Sequence, residues 1–220
     1  MKNPIFGVYG ASGYGREVMP LARAQLMHKG ISSERLFFID DAPQAKVING
    51  QRVLRYSEFL ESGQGEHHAV LAIANSVVRE KLSLRNGRDG VLPWTVTACN
   101  AILLDDVVLG EGAVLSPFVT LTSNLRIGRQ FHANIYSYVA HDCVVGDFVT
   151  FAPGVKCNGN VTIEDHAYIG TGAVIKQGSP DKPLTIGRGA IIGMGAVVTR
   201  DVPAGITVVG NPAKPFPSKS

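Results

Sequence analysis

From Leu103 onward an apolar residue returns every six positions: Leu103, Leu109, Leu115, Leu121, Ile127, Ala133, Val139, Val145, Phe151, Cys157, Ile163, Ile169 and Ile175. Four residues after each come Val107, Ala113, Val119, Leu125, Phe131, Ser137, Cys143, Val149, Val155, Val161, Ala167, Ala173 and Ser179, nearly all small or apolar. Both sets are therefore expected to point inward. Neither an α-helix, at about 3.6 residues per turn, nor a flat strand, at about two, keeps such a phase. A hexapeptide period belongs to a parallel β-helix, in which each hexad makes one short strand and one corner. In the left-handed form three hexads close a triangular coil, and stacked coils pair each backbone group with the coil above or below. A run of β-hairpins would hold this phase only by chance, and the length of the run argues against it. The phase slips at Asp181 to Thr185 and resumes at Ile186, Ile192 and Val198, so those five residues are expected to form an external loop.

The first hundred residues follow a different rule. Ile5 to Gly10 predicts an apolar strand, Gly15 to Lys29 a helix despite Pro20, and Arg35 to Ile39 a second strand ending in Asp40 and Asp41. A third strand is expected at Ala69 to Ala74, followed by a helix from Ser76. This alternation implies a small parallel sheet, a Rossmann-like βαβ domain over residues 1–97, with the β-helix over 98–220. Between the first strand and helix lies GASGYG, Gly10 to Gly15. Its glycines permit a tight turn and let main-chain N–H groups approach a phosphate at a helix N-terminus. The order GxxGxG does not meet the dinucleotide fingerprint, and a plain tight turn would use the same residues. Asp40 and Asp41 stand where open α/β sheets bind ligands, a place for a ribose or a base, or else simply a solvated strand end.

Composition excludes several classes. A net charge of +3 over 220 residues is too mild for a nucleic-acid partner, yet leaves an anionic substrate welcome. The cysteines, Cys99, Cys143 and Cys157, are odd in number and form no CxxC pair, which argues against a disulfide framework and for a reducing compartment. No apolar run approaches the roughly 20 residues of a membrane span, and no basic n-region with an apolar h-region opens the sequence. The expectation is a soluble, cytoplasmic protein.

The segment HDCVVGDF, from His141 to Phe148, places an imidazole beside a carboxylate at a corner of its hexad, facing out. An imidazole titrates near neutrality and suits proton transfer, although a lone surface pair of this kind is often only solvated. Taken together, the GASGYG turn, the IDD strand end, the hexapeptide β-helix, HDCVVGDF and the closing VVGNPAKP resemble the bacterial sialic acid O-acetyltransferase-like sugar acyltransferases. That group includes the UDP-4-amino-sugar N-acetyltransferases, and the resemblance covers almost the whole chain.

The resemblance implies acetyl transfer from acetyl-CoA to a sugar amine, without a metal, by direct attack. His141 would be the general base and Asp142 the neighbour that raises its basicity. It places a nucleotide sugar on Gly10, Ser12, Gly13, Tyr14, Asp40, Asp41 and Ser76, and acetyl-CoA on Thr150, Gly159, Thr171, Met194, Gly195 and Lys214. Gly159 stacks over His141, where the lack of a side chain would leave room for the pantetheine arm; these glycines also suit tight corners. It further implies a C3 homotrimer with CoA between subunits, working on a surface polysaccharide or glycan. Three positions depart from the pattern: Thr150 and Tyr14 stand where relatives carry histidines, and AIANS, Ala72 to Ser76, lacks a customary glycine. Other readings are an O-acetyltransferase, a non-catalytic scaffold, and a γ-type carbonic anhydrase. The last needs two histidine ligands five residues apart, and His132, His141 and His166 supply no such pair.

Overall fold

The apolar run Ile5–Tyr9 is buried along its whole length and forms the central strand, β1, of an N-terminal sheet. The computed structural model describes residues 3–216, and the chain divides into two compact units. The first runs to Cys99 and includes Glu111–Val114; the second comprises Asn100–Gly110 and the described chain from Leu115.

In chain order the first unit holds β1, α1 (Gly13–His28), β2 (Leu36–Ile39), β3 (Val47–Ile48), β4 (Gln51–Leu54), α2 (Tyr56–Glu61), β5 (His67–Leu71), α3 (Ser76–Arg88) and β6 (Leu92–Pro93). The sheet order is β3-β4-β2-β1-β5-β6, parallel except for the β3–β4 hairpin. Strand alternation deals side chains into two cores. Phe6, Val8, Leu36, Phe38 and Val70 pack with Val18, Ala22 and Leu26 of α1. Ile5, Tyr9, Phe37, Ile39, Ala69 and Leu71 pack with Tyr56 and Phe59 of α2. Covering both faces is what makes these strands continuous apolar runs.

The predicted parallel sheet is present, with changes at its edges. The third strand lies at His67–Leu71 and not at Ala69–Ala74: His68 pairs beside Phe6, their rings stacked at 5.1 Å, and Ala72 begins the turn into α3. Sequence patterning missed β4 because it opens on a glutamine. Gln51 is nevertheless buried, its amide donating to the Leu36 carbonyl.

The second unit is the predicted left-handed parallel β-helix. Leu121 pairs with Val139, Val139 with Cys157 and Cys157 with Ile175, one coil per step. The first face stacks Ile102–Leu103, Thr120–Leu121, Tyr138–Val139, Lys156–Cys157, Val174–Ile175 and Val197–Val198. The second stacks Val107–Leu109, Leu125–Ile127, Val144–Val145, Val161–Ile163 and Leu184–Ile186. The third includes His132–Ala133, Thr150–Phe151, Tyr168–Ile169, Ile191–Ile192 and Thr207–Val209.

Every in-phase apolar residue from Leu115 to Ile175 is buried, whereas Leu103, on the last strand of its ladder, stays 42% exposed. Ser137 is the polar member of the inward set. Its hydroxyl donates to the Ala152 carbonyl (3.0 Å) and accepts from the Val155 N–H (3.1 Å), so burying it leaves nothing unsatisfied.

The corners require left-handed backbone, which costs a non-glycine residue about 1–2 kcal/mol and is best met by Gly, Asn or Asp. Asp106, Asn124, Asp142 and Asn160, at φ 52°, 59°, 57° and 54°, form one column between the first and second faces. Phe118, Tyr136, Gly154, Gly172 and Gly195 form another between the third and first. The insertion sits two residues earlier than the phase count places it: Gly178 donates to the Gly159 carbonyl and Leu184 to that of Asn160, so the looped-out segment is Ser179 to Pro183. Thr185 belongs to a strand and Ser179 is exposed. Periodicity shows where phase resumes, not where the chain leaves it.

At the start of α1, a Cβ on Gly15 would lie 1.8 Å from the Gly10 carbonyl oxygen, whereas one on Gly13 meets nothing within 4 Å. Gly15→Ala is expected to destabilise the first unit by about 1–3 kcal/mol through forced displacement of α1. Gly13→Ala is expected to be neutral or better. Trp94, the sole tryptophan, is buried in the same core, so its fluorescence during urea unfolding reads both outcomes.

Candidate active site

His141 and Asp142 occupy the corner between the first and second faces, after the strand Tyr138–Val139. The left-handed conformation of Asp142 is fixed by its N–H donating to the Ser123 carbonyl of the coil before (3.2 Å). Its Oδ2 lies 2.7 Å from His141 Nδ1, and its Oδ1 accepts from Asn124 Nδ2 at 3.1 Å. The hydrogen bond from His141 first, and that from Asn124 next, hold the Asp142 carboxyl below the usual carboxylate range. An ionised carboxylate has no proton to give, so His141 Nδ1 carries the hydrogen and Nε2 presents its lone pair. This tautomer is the one a general base needs.

The ring itself is seated by an absence. A Cβ on Gly159, in the next coil, would fall 2.6 Å from both Cε1 and Nε2 of His141. Gly159 does stack over His141 as expected, and the imidazole occupies the space that a side chain there would take. Both groups of the pair remain about half exposed. Cys143 and Cys157 lie close by, yet are 1% and 0% exposed core residues.

The other residues assigned to acetyl-CoA lie elsewhere on the coil. Thr171, Met194 and Gly195 come together at the corner between the third and first faces, where Gly195 N–H donates to the Thr171 carbonyl (2.8 Å) and Met194 is 81% exposed. Thr150 is buried on the third face, in register with His132 and Tyr168. Lys214 is exposed on a short terminal strand antiparallel to Thr207–Val209. Within one chain, His141 and the Thr171–Gly195 corner thus stand at different vertices of the triangle.

In the first unit, β1 connects leftward to β2 and β5 rightward to β6, so the order reverses between β1 and β5, where open α/β sheets form their ligand crevice. The GASGYG turn and the Ala72–Asn75 turn meet there: a Cβ on Gly10, at φ 109°, would lie 2.8 Å from the Ala72 carbonyl oxygen. Ser12 is the N-cap of α1 with no side-chain hydrogen bond to the helix, Gly13 is exposed, and Ser76 opens α3 behind the Asn75 cap. The Tyr14 hydroxyl oxygen is buried, and burial raises its pKa well above the ordinary phenol value.

Sequence reading missed Arg79. It is fully buried, donates to the carbonyls of Ile73 (2.7 Å) and Ala74 (3.3 Å), and is pulled down to about 10 by burial. Asp40 accepts from the Ala42 N–H at 2.9 Å, turning the strand end. Asp41 accepts from the Tyr9 hydroxyl at 2.8 Å and pairs with Arg85, whose guanidinium lies over the Tyr56 ring at 4.1 Å. Burial and then the charge of Asp40 raise the Asp41 carboxyl. Asn124 was also missed, although it stands one coil before Asp142 and the repeat itself points to it.

A left-handed β-helix with a carboxylate-oriented imidazole on its open edge fits the class of hexapeptide-repeat acyltransferases. Comparison with known proteins gives the family. Residues 6–85 match the PglD N-terminal domain. The chain is 53% identical over 210 residues to GDP-perosamine N-acetyltransferase of Escherichia coli O157:H7, covering 96% of this chain and 95% of that one. Its fold matches WeeI from Acinetobacter baumannii AYE at TM-score 0.94 and 61% identity, over 97% of this chain and 100% of the other. It also matches the acetyltransferase domain of PglB from Neisseria gonorrhoeae FA1090 in complex with acetyl coenzyme A, at TM-score 0.83 and 30% identity, with the same coverage. The chain belongs to the hexapeptide-repeat sugar acyltransferase family.

Two outcomes test the site geometry. Gly159→Ala displaces the imidazole and is expected to lower kcat by about a hundredfold, the cost of misplacing a reacting group by roughly 1 Å. A carbon-detected NMR titration is expected to find Asp142 titrating below an ordinary aspartate and to move upward in Asn124→Ala. With a depressed folded-state pKa, the interaction stabilises the fold above the ordinary carboxylate range and is lost as pH falls through the folded value.

Proposed function

We propose that the protein transfers the acetyl group of acetyl-CoA to the amine of a nucleotide-linked amino sugar, in the making of a surface polysaccharide or glycan. The observation that carries the reading is the Asp142–His141 pair seated against Gly159 of the next coil, with Nε2 as the basic nitrogen. As the sugar amine attacks the thioester carbon, Nε2 takes its proton and the carbonyl oxygen gains charge that a main-chain N–H can steady. Collapse of the tetrahedral species expels the CoA thiolate, which leaves readily, so no acyl-enzyme and no metal enter. Residues 1–97 hold the nucleotide sugar at the Gly10–Tyr14 and Asp40–Asp41 strand ends, and residues 98–220 carry the transfer. The relative named for GDP-perosamine favours a GDP-linked amino sugar as acceptor.

A homotrimer completes the donor site. His141 and the Thr171, Met194 and Gly195 corner lie at separate vertices of one coil, so a groove using both needs a second copy, and threefold symmetry closes the ring. The acetyl-CoA donor and the free thiols of Cys143 and Cys157 favour a cytoplasmic reaction.

Thiol release from acetyl-CoA, measured with GDP-, UDP- and dTDP-linked amino sugars, tests the reading. One amino sugar is expected to support turnover, and His141→Ala to reduce kcat by about 10²–10⁴. Absence of release with every amine would overturn it.

A further inference from the structure

Burying a guanidinium costs more than burying an apolar side chain of the same volume, so a fold that needed only packing at position 79 would do as well with an apolar residue. Arg79 is nevertheless 0% exposed, in the first turn of α3. Its Nη1 is spent on the loop before that helix, donating to the carbonyls of Ile73 (2.7 Å) and Ala74 (3.3 Å). The next carbonyl, that of Asn75, accepts from the Arg79 N–H at 2.9 Å. Three consecutive carbonyls are thus drawn inward to one residue.

A planar trans peptide points its N–H opposite to its carbonyl, and these peptides are trans. With the carbonyls of Ile73, Ala74 and Asn75 turned to Arg79, the N–H groups of Ala74, Asn75 and Ser76 face the other way. That way is outward. Ala74 and Asn75 are exposed, and among the described residues neither N–H donates to another protein group. The turn sits at the carboxyl end of β5, where a Cβ on Gly10 of the GASGYG turn would strike the Ala72 carbonyl. The row of N–H groups therefore lines the crevice between β1 and β5, and successive main-chain N–H groups aimed one way suit anionic oxygens.

We propose that Arg79 is a positioning residue for the acceptor: by holding three carbonyls inside the fold, it keeps the N–H groups of Ala74, Asn75 and Ser76 aimed at the diphosphate of the nucleotide sugar. The inference rests on the acceptor reading above. Calorimetric titration of the full chain with GDP, UDP and dTDP, and with CoA as the control, tests it. Arg79→Met keeps much of the side-chain bulk and removes the donors. It is expected to bind the preferred nucleoside diphosphate about tenfold more weakly and to raise KM for the amino sugar by a similar factor, with kcat and CoA affinity unchanged. Arg79→Lys, one bond shorter but still a donor, is expected to fall between the two, and Trp94 fluorescence in urea reports whether each variant folds. Asn75 supplies an independent pair. Its φ of −70° suits proline, so Asn75→Pro removes the N–H together with the cap side chain, whereas Asn75→Ala removes the cap alone. The proline variant is expected to bind nucleoside diphosphate more weakly than the alanine variant. Wild-type protein that binds none of the three nucleotides would overturn the acceptor reading itself. Where the wild type binds, unchanged affinity in folded Arg79→Met, or equal affinity in the two Asn75 variants, would overturn the role of Arg79 alone.

Discussion

The β-helix rests on one repeated interaction, the main-chain hydrogen bond from each coil to its neighbour. The bonds from Ala140 to Cys157, Asn158 to Ile175 and Lys176 to Val198 are links of a single ladder, and the triangular coil exists to keep such ladders in register. Register in turn demands a sharp corner at the end of every hexad. The corner demands left-handed backbone, and that restricts which residues stand there. Whatever chemistry the edge carries is therefore built from side chains compatible with that conformation, as Asp142 is, or from their immediate neighbours, as His141 is.

The two units hold their functional groups by different physics. On the β-helix His141 is placed by stacking: a carboxylate beside it on the same coil, a glycine in the next coil, and a backbone clamped on both sides. In the N-terminal unit the loops at the strand ends are held from inside, by a buried guanidinium donating to two carbonyls of the Ala72–Asn75 turn and by Gly15 letting α1 press against Gly10. The first arrangement is rigid because it is repetitive. The second depends on a few individual side chains with no repeat to support them.

That contrast also decides what could be read from the sequence. The hexapeptide phase was legible because every coil repeats the same demand, and it carried with it the burial of Cys143 and Cys157 and the stacking of Gly159 on His141. The His141–Asp142 pair was legible as chemistry, but Asn124, its third member, is an unremarkable asparagine until coil stacking places it against Asp142. Arg79 could not be found, because a charged residue in a helix reads as solvated unless tertiary contacts are known. Tyr14 is the mirror case: a polar tip next to a glycine turn reads as exposed, while its hydroxyl oxygen is buried. The insertion was detected but misplaced, since apolar phase cannot distinguish strand residues Leu184 and Thr185 from the loop before them.

The column Asp106, Asn124, Asp142 and Asn160 bears on how such a site can arise. Each level already holds an acid or an amide there for conformational reasons alone, before any reaction is considered. Installing a base on this edge is then a single change, a histidine at the residue before the corner, because its orienting partner is supplied by the architecture. The His141–Asp142 pair is half inherited from the geometry of the turn, which makes an edge like this one an easy place for an acyltransferase to begin.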